Sequence, residues 1–188
     1  MNGAAIPRLK RKGFVGSGLA GLFVIGLLTV LALALVKANQ GQRTSGPAPD
    51  FTLTGFDGRK VTLSELRGKV VVINFWASWC LTCRQEAAYI EATWRKYQDR
   101  GVVFIGVDYL DTDSEAKAYI QEYNITYVNG PDLGSRISQA YNIKGVPETY
   151  FVDQKGVLRG IFIGPTESPQ LDDKIDALLS QSNPVGNP

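Results

Sequence analysis

The chain has 188 residues, with two cysteines and no histidine. Hydrophobic residues make up 44% and charged residues 20%, proportions typical of a folded globular protein, which argues against wholesale disorder. The net charge is only +2, and the excess of basic residues lies within the first dozen positions, so no basic surface is left for nucleic acid. We therefore expect one globular domain that does not bind nucleic acid.

A long uncharged segment precedes this domain. Residues 14–36 contain no charged side chain and are dominated by Leu, Val, Ala, Gly, Ile and Phe. A hydrocarbon core of about 30 Å needs about 20 helical residues, whereas the apolar part of a signal peptide usually has about 7–15. The pattern predicts a transmembrane anchor over residues 14–36. Basic residues cluster just before it, namely Arg8, Lys10, Arg11 and Lys12.

This asymmetry predicts a cytoplasmic basic segment, residues 1–13, and a single-pass protein of the cell membrane whose domain is periplasmic or extracytoplasmic. Cleavage after Ala38 is the main alternative, because residues 36–38 resemble a small-x-small cleavage site. A buried core helix is disfavoured, since the segment has no polar face. Residues 37–48 are polar with Gly and Pro and predict a linker, followed by a domain over residues 49–180 and a flexible tail over residues 181–188.

The first half of the domain predicts a hairpin and a β-α-β unit. Residues 51–54 and 60–62 alternate around a Gly-Phe-Asp-Gly turn, which is typical of a hairpin. Residues 69–76 and 102–108 are short, nearly continuous apolar runs, typical of strands buried on both faces. Apolar residues at helical spacing between them predict a helix over residues 80–99.

The second half predicts inserted helices, an antiparallel pair and a closing helix. Residues 113–123 and 134–141 read as the inserted helices. Residues 148–152 and 160–163 alternate around an Asp-Gln-Lys-Gly turn, which predicts antiparallel strands, and residues 168–179 predict the last helix. The fold class is therefore α/β, with a mixed central sheet flanked by helices.

Cys80 and Cys83 follow a buried strand and stand at the opening turn of a helix. Residues three apart share one helix face, so their Cα atoms are expected within the roughly 4.4–6.8 Å that a disulfide requires. Unpaired N–H groups and the positive end of the helix dipole favour a thiolate on Cys80. We expect Cys80 to attack a disulfide and Cys83 to resolve the mixed disulfide.

Two other uses of this pair are weaker. A structural staple that closes so short a loop contributes only about 2 kcal/mol, against about 3 for fifteen residues. A zinc site needs two further Cys or His ligands, which the chain lacks. A redox-active disulfide is therefore expected, with no metal and no other cofactor.

Residues 71–86, which include Trp-Cys-Leu-Thr-Cys, resemble the active site of the thioredoxin superfamily, and specifically that of the membrane-anchored TlpA/ResA/DsbE-like reductases with their redoxin or AhpC-TSA-like domain. The resemblance continues in Ala-Pro-Asp-Phe at residues 48–51, in Leu-Arg-Gly-Lys at 66–69 and in Gly-Val-Pro-Glu-Thr at 145–149. It implies a thioredoxin-like fold with an N-terminal hairpin and an inserted helix, after one transmembrane helix.

The resemblance also implies site residues. Pro147 is expected to be cis and to lie against the disulfide, although only about 5–6% of X-Pro bonds are cis in general. Val146 and Trp79 are expected to contact an extended client peptide. Glu148 matches a glutamate of the cytochrome c maturation reductases and is assigned to client binding, with a surface strand residue as the alternative.

Glu86 is assigned a catalytic role because it follows Cys83 at the edge of the apolar helix face, where it would handle a proton; a solvated helix glutamate is the alternative. Thioredoxin carries a buried aspartate where this chain has Asn74, so Glu86 is the expected substitute. The dipeptide between the cysteines has neither the proline nor the histidine of some relatives, which favours a reductant of moderate to low potential.

These observations predict an extracytoplasmic thiol:disulfide oxidoreductase that reduces client disulfides, such as the Cys-x-x-Cys site of apocytochrome c, and is recharged by a membrane electron donor of the thiol-reductase type. A general periplasmic reductase or isomerase partner is the alternative. A thiol peroxidase is disfavoured because Ala77 replaces the Thr or Ser found three residues before the reactive cysteine of such enzymes. A copper-delivery module is disfavoured because two cysteines alone would hold only Cu(I), and weakly.

Overall fold

The computed structural model describes residues 14–38, 41–167 and 169–181. The chain divides into two units, Met1–Gly41 and Gln42–Pro188. The predicted cytoplasmic segment, residues 1–13, and almost all of the predicted tail, residues 182–188, lie outside the described residues.

The first unit contains helix α1, Phe14–Ala38, whose side chains are described over residues 20–35 and are all exposed. Within that described part of the chain, no helix is both long and apolar enough to cross a membrane. The transmembrane anchor over residues 14–36 stays a prediction.

The second unit is built on a mixed six-stranded sheet, counted over the described residues, in the order β1-β8-β7-β4-β5-β6. Strands β4, β5 and β6 are parallel, whereas β7, β8 and β1 follow on the other side of β4 in antiparallel pairs. Strands β2 and β3 form a separate hairpin, as predicted. The strands are β1 Gly46–Pro47, β2 Thr52–Thr54, β3 Lys60–Thr62, β4 Val70–Trp76, β5 Val102–Asp108, β6 Val128–Pro131, β7 Glu148–Val152 and β8 Val157–Ile163.

The helices cover both faces of this sheet, which confirms the predicted thioredoxin-like α/β class. Alternate residues of β4 point to opposite faces, so the strand contributes to two apolar clusters. One cluster includes buried residues of α2, α3 and α5, and the other includes residues of α4 and of the β2–β3 hairpin. The helices are α2 Leu81–Tyr97, α3 Asp113–Glu122, α4 Arg136–Tyr141 and α5 Gln170–Ser180.

The domain begins earlier than predicted, which corrects the assignment of residues 37–48 to a linker. Gly46 and Pro47 pair with Leu158 and Val157 as the edge strand of the sheet. The N–H of Arg43 also donates to a backbone carbonyl of the domain. A two-residue strand containing Gly and Pro has no alternating pattern to predict it, and its pairing partner lies more than 100 residues away.

Gly106 shows how tightly the central strands pack near the site. It lies in β5, and a Cβ added there would overlap the side-chain amide of Asn129. That amide oxygen accepts a hydrogen bond of 2.8 Å from the indole N–H of Trp76, the last residue of β4. A glycine is therefore needed for the indole to be anchored at the end of the strand that leads to the cysteines.

Candidate active site

Cys80 and Cys83 form a disulfide at the N-terminal end of α2, with their Cα atoms 5.2 Å apart, as their spacing predicted. Cys80 is the N-cap residue, with an extended backbone, and its Sγ accepts a hydrogen bond of 3.1 Å from the N–H of Cys83. The sulfur thus takes the place of the oxygen that usually caps the free N–H groups of a helix. The same N–H and the helix dipole stabilise negative charge on Cys80 once the disulfide opens.

The two sulfurs differ in access. Cys80 retains 5% of its surface and Cys83 none. Two apolar side chains beside the pair are well exposed, Trp79 at 60% and Leu81 at 70%. An incoming disulfide therefore meets Cys80 and the indole of Trp79 first, while Cys83 lies behind them, which fits the predicted order of attack.

The peptide bond between Val146 and Pro147 is cis, as the resemblance predicted. The carbonyl oxygen of Val146 lies 3.6 Å from Sγ of Cys80. Pro147 is buried, and its own carbonyl accepts a hydrogen bond from the N–H of Gly164 in the segment after β8. The structure therefore brings together the cysteines and the Val146–Pro147 peptide, which are more than 60 residues apart in the sequence.

Glu86 is a buried carboxyl one helical turn beyond Cys83, and not a solvated helix residue. Its Oε1 accepts a hydrogen bond from Nδ2 of Asn74 at 3.1 Å, and its Oε2 accepts one from the N–H of Thr166 at 2.6 Å. Burial raises the pKa of Glu86 from 4.5 to about 7, against the opposing effect of these two hydrogen bonds. Near neutral pH this carboxyl can therefore take up or release a proton beside the cysteines.

Glu148 does not face a client, which corrects its assignment to client binding. Its side chain is 1% exposed, and both of its oxygens are occupied within the domain. Oε1 accepts hydrogen bonds from the N–H groups of Lys144 and Gly145 and from Nε2 of Gln42, while Oε2 accepts one from the hydroxyl of Tyr150. Glu148 instead fixes the loop that carries the Val146–Pro147 peptide.

Two residues of the site were not identified from the sequence. The hydroxyl of Tyr119 donates to the carbonyl of Cys83 at 3.0 Å, and its ring stacks on Trp76 with centroids 4.3 Å apart. Thr166 supplies the N–H that binds Glu86. Tyr119 carries only the signal of a residue on a predicted amphipathic helix, and Thr166 lies in a loop with no pattern at all.

No group of three or more Cys, Asp or Glu side chains within the described ranges is placed to hold a metal ion. That the enzyme needs no cofactor beyond its disulfide stays a prediction.

A disulfide at the start of a helix, beside a cis-proline loop and on a mixed sheet with helices on both faces, defines a thioredoxin-like thiol:disulfide oxidoreductase. Comparison with known proteins identifies the family. The profile of the AhpC/TSA family matches residues 44–161, and the chain belongs to this family.

Relatives named for this activity support the same class. The chain is 32% identical over 125 residues to the thiol-disulfide oxidoreductase ResA of Bacillus thuringiensis (strain Al Hakam), covering 66% of this chain and 72% of the relative. It is 31% identical over 173 residues to the thiol:disulfide interchange protein DsbE of Pseudomonas fluorescens biotype C, covering 88% and 95%.

Among solved structures, a putative thiol:disulfide interchange protein DsbE from Chlorobium tepidum superposes with a TM-score of 0.68 at 28% identity, over 74% of this chain and 99% of that chain. The protein is thus a thiol:disulfide oxidoreductase of the ResA/DsbE type.

The buried carboxyl of Glu86 predicts a pH dependence of stability. Because its folded pKa of about 7 lies above its unfolded value of 4.5, the folded state holds the proton more tightly, and stability is lost as pH rises from about 4.5 to about 7. The Glu86→Gln variant has no such proton. We expect the free energy of unfolding of the wild type to fall relative to this variant by up to about 3 kcal/mol across that range.

Urea unfolding of the oxidised protein at several pH values measures this difference. The Glu65→Gln variant, which alters an exposed glutamate outside the site, is the matched control and should follow the wild type. If the free energies of unfolding of the wild type and of Glu86→Gln changed in parallel with pH, the proposed environment of Glu86 would be contradicted.

Proposed function

We propose that this enzyme reduces disulfides of client proteins outside the cytoplasm, and that the Cys-x-x-Cys haem-attachment site of apocytochrome c is a main client. The observation that carries the proposal is the placement of Cys80: its sulfur caps α2 and lies 3.6 Å from the Val146 carbonyl, while Cys83 is fully buried. One sulfur is thus presented to a client and the other is kept to resolve the intermediate.

The reaction consists of two thiol-disulfide exchanges. The Cys80 thiolate attacks one sulfur of the client disulfide, forms a mixed disulfide and releases the other client sulfur as a thiolate. Cys83 then loses its proton and attacks Sγ of Cys80, which releases the second client thiolate and forms the Cys80–Cys83 disulfide. Two electrons pass to the client in each cycle. Glu86, one helical turn from Cys83, is suited to accept the proton that Cys83 loses.

The direction of electron flow is supported by the residues between the cysteines. Leu81 and Thr82 replace the proline and histidine of some relatives, which favours a reductant. Each turnover leaves the pair oxidised, so a dithiol donor must reduce it again. A membrane-bound donor of the thiol-reductase type would meet this need close to the enzyme.

The client is proposed from the sequence resemblance and from shape. Glu148, which fixes the loop before it, matches a glutamate of the cytochrome c maturation reductases. An extended peptide with two cysteines close together would place one sulfur against Cys80 while its backbone lies beside Val146. A general disulfide reductase or isomerase partner shares this chemistry and differs in having no preference for the closely spaced pair.

Trapping of clients tests the assigned roles. In the full-length chain, Cys83→Ser cannot resolve the mixed disulfide, so we expect it to accumulate a covalent adduct with an oxidised Cys-x-x-Cys peptide, seen by mass spectrometry. Cys80→Ser should form no adduct and should lose at least 100-fold in the rate of peptide reduction, because the accessible sulfur is gone.

The same assay separates the alternatives. A peptide whose two cysteines are ten residues apart distinguishes a general reductase, which would reduce both peptides equally, and a peroxide-consumption assay detects a thiol peroxidase. Reduction by Cys80→Ser at the rate of the wild type would show that the roles are wrong.

The membrane location is proposed from the uncharged residues 14–36 and from the basic residues before them. In bacterial cells, we expect the full-length chain to stay in the membrane fraction after an alkaline carbonate wash, with its amino terminus intact by mass spectrometry. After mild reduction, a membrane-impermeant maleimide should label Cys80, the accessible cysteine, in intact spheroplasts. A soluble protein that begins at Asn39 would instead show cleavage after Ala38 and contradict the anchor.

A further inference from the structure

The turn at residues 109–111, which follows β5, is hydrogen-bonded to the residues just before Cys80. The N–H of Tyr109 donates to the carbonyl of Trp76 at 2.8 Å. The carboxylate of Asp111 accepts two hydrogen bonds from Ser78, one of 2.5 Å from its N–H and one of 2.8 Å from its hydroxyl. Both hydrogen-bond donors of Ser78, which lies two residues before Cys80, are therefore bound by the same carboxylate.

The other side of Ser78 is held as well. Its carbonyl accepts a hydrogen bond of 2.8 Å from Nε of Arg84, whose guanidinium also pairs with Glu122 of α3. The peptide groups before and after Ser78 are thus both fixed by charged side chains. The next residue is Trp79, whose side chain is 60% exposed beside Cys80. These contacts fix the backbone at Ser78 and hence the direction of the chain at Trp79 and Cys80.

The backbone of Leu110, at the tip of the turn, indicates that these hydrogen bonds determine the conformation of the turn. Its φ is +61°, in the left-handed region that a leucine rarely adopts, and its side chain is 66% exposed. Burial of the side chain therefore does not account for the strained backbone. The contacts of Tyr109 and Asp111 on either side hold Leu110 in place.

Behind Asp111 lies Asp108, the last residue of β5, which is 2% exposed. Its Oδ1 is buried and has no hydrogen-bond partner. Burial, helped by the charges of Asp111, Asp113 and Asp132, raises the pKa of Asp108 to about 8. Asp108 is therefore protonated at neutral pH and adds no second negative charge near the carboxyl of Asp111.

The charged groups around this pair come from several elements. Asp111 lies in the turn, and Arg84 of α2 binds Ser78 on the side opposite to Asp111. Asp113 begins α3 and forms an ion pair with Lys117. Asp132, which follows β6, directs both of its carboxylate oxygens to Ile137 and Ser138 at the start of α4. The carboxylate of Asp132 thus binds α4, whereas that of Asp111 binds Ser78.

We propose that Asp111 is a positioning residue of the redox site: its carboxylate binds both donors of Ser78 and so presents Trp79 and Cys80 to a protein client in one orientation. This assignment depends on the oxidoreductase activity of the pair and not on the proposed location or client.

The test compares two disulfides with the full-length chain. Oxidised mercaptoethanol is a small neutral disulfide that needs only the sulfur of Cys80, whereas a Cys-x-x-Cys peptide disulfide also meets Trp79. Asp111→Ala removes both acceptors of Ser78, whereas Asp111→Asn would keep both contacts, because the hydroxyl of Ser78 can accept from the amide NH2 group. For Asp111→Ala we expect kcat/KM for the peptide to fall at least fivefold, while that for mercaptoethanol stays within twofold.

Two further variants separate positioning from charge and from folding. Asp113→Ala removes the same carboxylate two residues away on an exposed side chain, and should leave both substrates within twofold. Ser78→Ala loses only the hydroxyl donor, and should lower the peptide rate about twofold without affecting the small disulfide.

The pH profile provides an independent readout. In the wild type, the ratio of peptide to small-disulfide rates should fall as pH rises through about 8, because ionisation of Asp108 then places a second negative charge near Asp111. In Asp108→Asn, whose amide does not titrate, this fall should vanish.

The proposal is overturned if Asp111→Ala slows both substrates equally or neither, or if Asp113→Ala has the same effect. If Asp111→Ala does not fold, Ser78→Ala and the wild-type pH profile decide. A ratio that is independent of pH, with Ser78→Ala unchanged on both substrates, would then reject the proposal.

Discussion

The pairing of β4 with β7 is the constraint on which the site depends. Phe75, near the end of β4, lies opposite Glu148, the first residue of β7. Because the strands are antiparallel, the chain leaves β4 towards Cys80 at the same edge of the sheet where the Val146–Pro147 peptide leads into β7. A slip of this register would separate the sulfur of Cys80 from the Val146 carbonyl and leave each of them without the other.

A buried polar layer connects this edge to the interior. Asn74 of β4 donates to Glu86 and also to the hydroxyl of Thr149, its cross-strand partner in β7. Buried polar groups are tolerated when they are hydrogen-bonded, and the Glu86 carboxyl has donors on both oxygens. Burial nevertheless makes its charge costly in this position and raises the pKa of Glu86 to about 7.

Much of this arrangement could be predicted from the sequence, because the relevant signals are local. The apolar runs of β4 and β5, the helix after Cys80 and the spacing of the cysteines each lie within a few residues. The position of Glu86 at the edge of the apolar face of α2 left both a buried and a solvated side chain open, and the structure shows that it is buried. The cis bond at Pro147 required the resemblance, since nothing in the chain around it distinguishes it from a trans bond.

The remaining features depend on contacts between distant parts of the chain. Glu148 was expected to face a client. Strand β7 is buried on both faces, however, so every one of its side chains points into the protein, whichever face it lies on. The four donors of Glu148 come from Gln42, the loop before it and Tyr150, which no local pattern brings together. Strand β6 was missed because its residues 129–131, Asn-Gly-Pro, are typical of a turn, and only its pairing with β5 makes it a strand.

A redox titration of the full-length chain measures whether the Cys80–Cys83 pair opens and closes reversibly. The protein is equilibrated with mixtures of reduced and oxidised dithiothreitol or glutathione, approached from both directions, and the Cys80–Cys83 disulfide is quantified by alkylation and mass spectrometry. We expect one reversible two-electron transition with a midpoint below about −180 mV, the value for protein disulfide isomerase. A disulfide that stays closed to reductant in the folded protein, or two endpoints that do not agree, would contradict it.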